Sequence, residues 1–282
     1  MASMSDLAAC PAHLEPETWQ FYRDAMSALN AAGAPYLVGG AYAFERYTGI
    51  ERHTKDFDIF CRREDAAPIL QVLESELGCR TEVTFPHWLG KGYNRATGDF
   101  VDVIYSSGSG IAVVDDEWFT HGKEAEVLGI PAVLCPAEEM IWSKAFIMER
   151  ERYDGNDVAH LLHATAAQLD WERILRRFDA QWRVLMSHLV LFGFSYPGQR
   201  AQVPSWVQDE LVRRLQEEAA TPAPSARVCR GTLLSRAQYL VDIEKWGYED
   251  ARLEPQIQMT SGDIRHWTKA IEEKNRRKED HR

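Results

Sequence analysis

The chain has no CxxC pair; its five cysteines, Cys10, Cys61, Cys79, Cys135 and Cys229, are odd in number and scattered. This distribution fits reduced thiols rather than a disulfide framework or a cysteine-built zinc site. A long apolar run is also missing. The longest, around Leu185 to Phe194, is interrupted by His188 and is too short to cross a bilayer, while MASMSDLAAC has neither the basic start nor the apolar stretch of a leader. The expectation is a soluble, cytoplasmic protein with no membrane partner. Positive charge is in short supply: 32 Lys and Arg stand against 43 Asp and Glu, a net charge of −11. That balance argues against a broad basic surface for duplex DNA and leaves a local basic groove open. No internal repeat at a solenoid period is present.

Apolar material is nevertheless ample. Hydrophobic residues make up 45% of 282 positions, nine of them Trp, enough for a sizeable core. A chain of this length forms one large domain or, the favoured reading, two that pack together, since single cores stop growing near this size. Trp19, Tyr22, Met26 and Leu29 recur at helical spacing over Glu15 to Asn30. Tyr36 to Val38 reads as a strand, Gly39 and Gly40 as a tight turn, and AYAFERYTG as a helix closing at Gly49. DFDIFCR alternates as a strand, and Glu64 to Leu77 carries a helical apolar face ending at Gly78. CRTEVTF, YNRAT and DFVDVIYS read as three further β segments. A mixed α/β domain over residues 1–135 is expected.

Beyond Pro136 the pattern turns helical, starting with AEEMIWSKAFIMERER. Further helices are predicted over Asp157 to Ala167, Trp171 to Phe178, Trp182 to Phe194, Ser205 to Ala219 and Arg236 to Trp246. TPAPSA is a linker candidate, and the charge-dense end from Lys269 reads as a solvated, fraying helix. A helical domain over 136–250 and a tail over 251–282 complete the expected organisation. GSG at Gly108 to Gly110 lacks the other glycines of a dinucleotide fingerprint and reads as a flexible loop. His160 and His163, three apart on a helix, lack a third ligand and read as structural.

The chemistry concentrates at three places. Asp56 and Asp58 are two apart on a strand, so both carboxylates point to the same side, and two like charges there need a cation. Asp102, between Val101 and Val103, faces away from both valines, and a neighbouring strand would bring it beside the first pair. Three convergent carboxylates are the hard oxygen donors that Mg²⁺ selects, a signature of phosphoryl transfer with two ions. Gly39 and Gly40 fit the same picture: a turn without Cβ atoms lets backbone N–H groups approach the β and γ phosphates, and the following helix aims its positive end at them.

Taken together, VGG at Val38 to Gly40, DFDIF at Asp56 to Phe60 and VDVI at Val101 to Ile104 resemble the nucleotidyltransferase superfamily that includes DNA polymerase β. GGAYAFERYTGIERHTKDFDIF is similar to its small bacterial branch of antibiotic nucleotidyltransferases and abortive-infection toxins, over about residues 36–160. The resemblance implies an α/β nucleotidyltransferase fold with a mixed central sheet followed by a helical domain. It implies that Asp56 and Asp58 bind Mg²⁺, and that Asp102 completes the metal site and helps deprotonate the acceptor. It also implies that Lys144, in the first helix of the second half, reaches the triphosphate of an NTP. Thr54 and Lys55, just before the first acid, are candidates for contact with phosphate or base. The activity implied is transfer of an NMP from an NTP to an acceptor hydroxyl with release of pyrophosphate.

The acceptor stays open. The acidic balance favours a cationic small molecule, Arg62, Arg63, Arg80, Lys91 and Arg95 would suit an RNA end, and a protein hydroxyl is a third option. Trp88, Tyr93 and Trp142 are the aromatic residues placed to stack on a nucleobase or to pack in the core. Two rival readings are a catalytically silent nucleotide-binding module of the same fold and a metal-dependent phosphohydrolase using water as acceptor.

Overall fold

The computed structural model describes residues 10–11, 14–52, 54 and 56–279, and the chain divides into two units, Met1–Ser107 with Val113–Pro136 and Gly108–Ala112 with Ala137–Arg282. In chain order the first unit contains α1 (Pro16–Ala31), β1 (Leu37–Val38), α2 (Gly40–Thr48), β2 (Asp56–Phe60), α3 (Arg63–Leu77), β3 (Arg80–Phe85), β4 (Leu89–Tyr93), β5 (Phe100–Ile104), α4 (Asp116–Thr120), β6 (Lys123–Val127) and β7 (Ile130–Leu134). Helix α3 stops where the sequence predicts, because Gly78 takes the left-handed conformation (φ 66°) and its N–H caps the carbonyl of Glu74.

The seven strands form one mixed sheet in the order β3-β4-β5-β2-β1-β7-β6. At its centre β2 runs parallel to β5 and antiparallel to β1. The period of two sorts the central strands into faces. Phe57, Ile59, Val101 and Val103 point one way and are fully buried, each contributing about 1.5–3 kcal/mol. Tyr22 of α1 stacks on Phe57 with ring centroids 5.2 Å apart, and Tyr42 of α2 lies 5.1 Å from the same ring. Helix α3 packs on β4 and β5. With this face filled by helices, Asp56, Asp58 and Asp102 are left on the other.

Strand β4 departs from the sequence pattern, which places a strand over YNRAT. The observed strand is LGKGY, and the chain after Tyr93 turns instead, Gly98 N–H donating to Asn94 O at 2.9 Å. Gly90 and Gly92 face α3, where a Cβ would meet Leu70 Cδ1 at 2.9 Å and Leu73 Cδ1 at 2.8 Å. Close helix packing therefore demands the residue type that β propensity disfavours.

The second unit is mostly helical: α5 (Ala137–Ala145), α6 (Gly155–Thr165), α7 (Trp171–Phe178), α8 (Trp182–Ser195), α9 (Ser205–Ala220), α10 (Leu240–Glu244) and α11 (Ser261–Glu279), with short strands β8 (Val228–Cys229) and β9 (Glu249–Asp250). Helix α5 ends seven residues earlier than AEEMIWSKAFIMERER suggests, because the chain reverses in a bridge between Met148 and Tyr153. The helix expected over Arg236 to Trp246 shrinks to the five residues of α10. Helix α11 starts well before Lys269 and buries Ile264, Trp267 and Ile271. The GSG segment is packed, since a Cβ on Gly108 would meet the Trp267 ring at 2.5 Å. TPAPSA connects α9 to β8 inside this unit and marks no boundary between units. Among the described residues no helix is long and apolar enough to cross a membrane.

Gly92→Val inserts methyl groups against Leu73 and is expected to lower the unfolding free energy by about 1–3 kcal/mol. Urea denaturation of the two proteins checks this; an unchanged midpoint would contradict the packing.

Candidate active site

Register builds the site. The parallel pairing of β2 with β5 sets Asp56 beside Phe100 and Asp58 directly beside Asp102. Asp56 shares the face of Asp58 because it stands two residues earlier. One carboxylate oxygen from each of Asp56, Asp58 and Asp102 lies within 4.8 Å of the other two, and among the described residues no other group of three or more His, Cys, Asp or Glu side chains is so arranged. Asp102 is buried, whereas Asp56 and Asp58 are half-buried. The face is closed at one end, where Phe60 stacks on the fully buried Trp118 of α4 with centroids 5.4 Å apart.

The glycine pair sits against the same carboxylates. Gly39 N–H donates to the Asp58 carbonyl at 3.0 Å, and Gly40 opens α2 in the left-handed region (φ 53°). A Cβ at Gly40 would stand 1.8 Å from Asp58 Oδ2, so no side chain fits there. The start of α2 therefore lies against Asp58, with the positive end of that helix beside the acidic cluster.

The local electrostatics are unequal. The Thr54 hydroxyl donates to Asp56 Oδ1. Lys91 on β4 is the register partner of Asp102, and its Nζ lies 2.5 Å from Asp102 Oδ1. Burial pushes the Asp102 carboxyl up to about 6, the Lys91 ammonium pulls against that rise, and the charge of Asp56 adds to it. The same field reaches the core phenols: burial first, then nearby acids including Asp56 and Asp58, raise Tyr22 and Tyr42 far above the ordinary tyrosine range.

The donor set suits a hard divalent cation. All three groups are carboxylates, the hard oxygen donors that Mg²⁺ selects, with one oxygen of each within 4.8 Å of the other two.

The structure thus brings Asp56, Asp58, Asp102, Gly39, Gly40 and Thr54 together in the first unit. Lys55 lies outside the described residues. Lys144 belongs to the second unit, where its Nζ pairs with Asp154 at 3.1 Å and Asp157 at 2.8 Å. Arg152 and Lys144 outweigh burial and hold the Asp154 carboxyl below its ordinary value. The cations considered for an RNA track are committed locally: Arg62 to Asp116 and Asp65, Arg63 to the Pro86 carbonyl, Arg80 to Glu82, Lys91 to Asp102 and Arg95 to the Gly78 carbonyl. Trp88 stacks on Phe85, Trp142 is buried beneath Arg177, and Tyr93 lies on the carboxylate face of the sheet. Sequence reasoning missed Lys91 as the partner of Asp102. The alternation of glycine and lysine in LGKGY is the signal for it, and a strand over YNRAT hides that signal.

No protein-family profile matches the chain, and no curated protein matches it. Among solved structures it is similar to the antibiotic-resistance factor ANT(2'')-Ia, at 16% identity and TM-score 0.44, over 62% of this chain and 98% of that one. It is similar to an antigenic nucleotidyltransferase-like protein from Paracoccidioides brasiliensis, at 16% identity and TM-score 0.43, over 67% of this chain and 93% of the other. A third is the lincosamide antibiotic adenylyltransferase LnuA, at 16% identity and TM-score 0.37, over 53% of this chain and 98% of that one.

Gly40→Ala places a Cβ against Asp58 and forces a left-handed alanine, a conformation costing about 1–2 kcal/mol. The expected outcome is a displaced Asp58 carboxylate in a crystal structure of the variant and a lower unfolding midpoint. An Asp58 side chain left in place would contradict the close approach.

Proposed function

We propose that the chain is a Mg²⁺-dependent nucleotidyltransferase that moves an NMP from an NTP to an acceptor hydroxyl and releases pyrophosphate. One observation carries the reading: three carboxylates converge within 4.8 Å on one face of the sheet, against a glycine turn too tight for any side chain. In this reading Asp56 and Asp58 hold the ions, and Asp102 completes the set. Bound Mg²⁺ would neutralise charge on the triphosphate and on the departing pyrophosphate.

The chain's own groups supply the rest. The Gly40 N–H and the start of α2 receive the β and γ phosphates, while Gly39, whose N–H is held by the Asp58 carbonyl, fixes the turn. The acceptor oxygen bonds to the α-phosphorus as the bond to the pyrophosphate oxygen breaks, and Asp102 takes the hydroxyl proton before passing it to solvent. Thr54 orients the Asp56 carboxylate through its hydroxyl and borders the nucleotide. For the acceptor, the net charge of −11 favours a cationic small molecule over an RNA end.

The test is incubation with α-labelled NTPs and candidate acceptors, following the label and pyrophosphate. Wild-type protein is expected to release pyrophosphate in step with acceptor labelling. Asp56→Asn and Asp58→Asn are expected to lower that rate by at least about 10²–10³-fold, while leaving the fold at least as stable as before, since each relieves repulsion between carboxylates. Nucleotide binding without pyrophosphate release would favour the silent module, and rapid acceptor-free hydrolysis to NMP would favour a phosphohydrolase. Wild-type turnover in both variants would end the reading.

A further inference from the structure

The Lys91 ammonium is built into the acidic cluster. Gly90 and Gly92 on either side are buried beneath α3, so the strand cannot shift to carry Lys91 outward. The Lys91 ammonium stands 3.9 Å from the centroid of the Phe100 ring, and the side chain is only 16% exposed where it meets Asp102. The position is fixed by register as well as by contact, since Asp58, Asp102 and Lys91 lie abreast on three adjacent strands. With the ammonium in place the cluster carries two negative charges rather than three.

We infer that Lys91 is a displaceable counter-ion, a positioning residue that competes with a divalent ion for the third carboxylate. The inference rests on the metal-binding reading above. An ion approaching Asp102 meets a positive charge already within contact distance of one of its oxygens, and two cations a few ångströms apart repel strongly. An ion held by Asp56 and Asp58 alone meets less of this repulsion. Loading of Asp102 therefore depends on moving the ammonium away.

The sheet provides a place for it to go. Glu82 of β3 is the register partner of Lys91 on the side opposite to Asp102. Glu82 already accepts from Arg80 at 2.7 Å and from Tyr93 at 3.0 Å. Burial works to raise its carboxyl, but these hydrogen bonds outweigh it and hold the group below its ordinary value. An ionised acceptor thus stands one strand away from the lysine that the ion displaces.

The experiment measures Mn²⁺ binding to the full chain without nucleotide, by calorimetry and by electron paramagnetic resonance of the free ion. Lys91→Met, which keeps an apolar stem against Phe100 and removes the charge, is expected to bind Mn²⁺ tighter than wild type by about tenfold or more. Lys91→Arg is expected to stay at the wild-type affinity, and adding Asp102→Asn to Lys91→Met is expected to abolish the gain. Lys91→Gln serves the same purpose if the methionine variant does not fold. A merely structural lysine would leave the affinity unchanged or weaken it, and either result overturns the inference. Asp56→Asn and Asp58→Asn separate the two levels. If they abolish Mn²⁺ binding while Lys91→Met changes nothing, only the counter-ion role falls; if they leave binding intact, the metal reading falls and the inference with it.

Discussion

Like charges held close together are the constraint around which the first unit is organised. Three carboxylate oxygens stand within 4.8 Å of one another, and a pair of unit charges at that separation repels by roughly 3–4 kcal/mol at an effective dielectric constant of 20. Folding accepts this because the backbone decides where the groups go. The β2–β5 register places Asp58 beside Asp102 whether or not their charges are welcome there. Everything near the cluster answers that repulsion: a threonine hydroxyl on Asp56, an ammonium on Asp102 and a helix start without a side chain over Asp58.

The two faces of the central strands divide the labour between stability and chemistry. Phe57, Ile59, Val101 and Val103 anchor the strands to the helices, and each is flanked along its strand by an acid of the cluster or by the aromatic and aliphatic residues bordering it. A one-residue slip would exchange the faces, burying the acids under α1 and α3 and presenting the hydrophobic residues to the site. Core packing on one side thereby enforces the carboxylate geometry on the other.

Much of this was legible in the sequence because the signals were short and local. The acid-apolar-acid alternation of DFDIF and the isolated acid of FVDVI specify both strands and the facing of their acids, and Gly78 ends α3 where expected. What was not legible depends on partners distant in the chain. LGKGY looks unlike a strand until Leu70 and Leu73 of α3 are brought against its glycines. The pairing of Lys91 with Asp102 follows from that strand's register, so missing the strand concealed the contact. The early end of α5 is set instead by the local reversal that bridges Met148 to Tyr153, which helical periodicity does not announce. Lys144 sits in a strongly helical segment as expected, but its two acidic partners come from the turn and helix that follow and are not specified by spacing alone.

Residues Gly108–Ala112 belong with the second unit, although the chain up to Ser107 and from Val113 onward belongs with the first. Gly108 lies against Trp267, and Gly110 against Ile257. The polypeptide thus crosses between units after 107, again before 113 and once more after 136. Severing it after Pro136 would strand a five-residue piece of the helical unit inside the other fragment, deprived of the tryptophan and isoleucine that it packs on. The two units are interleaved along the sequence rather than laid end to end.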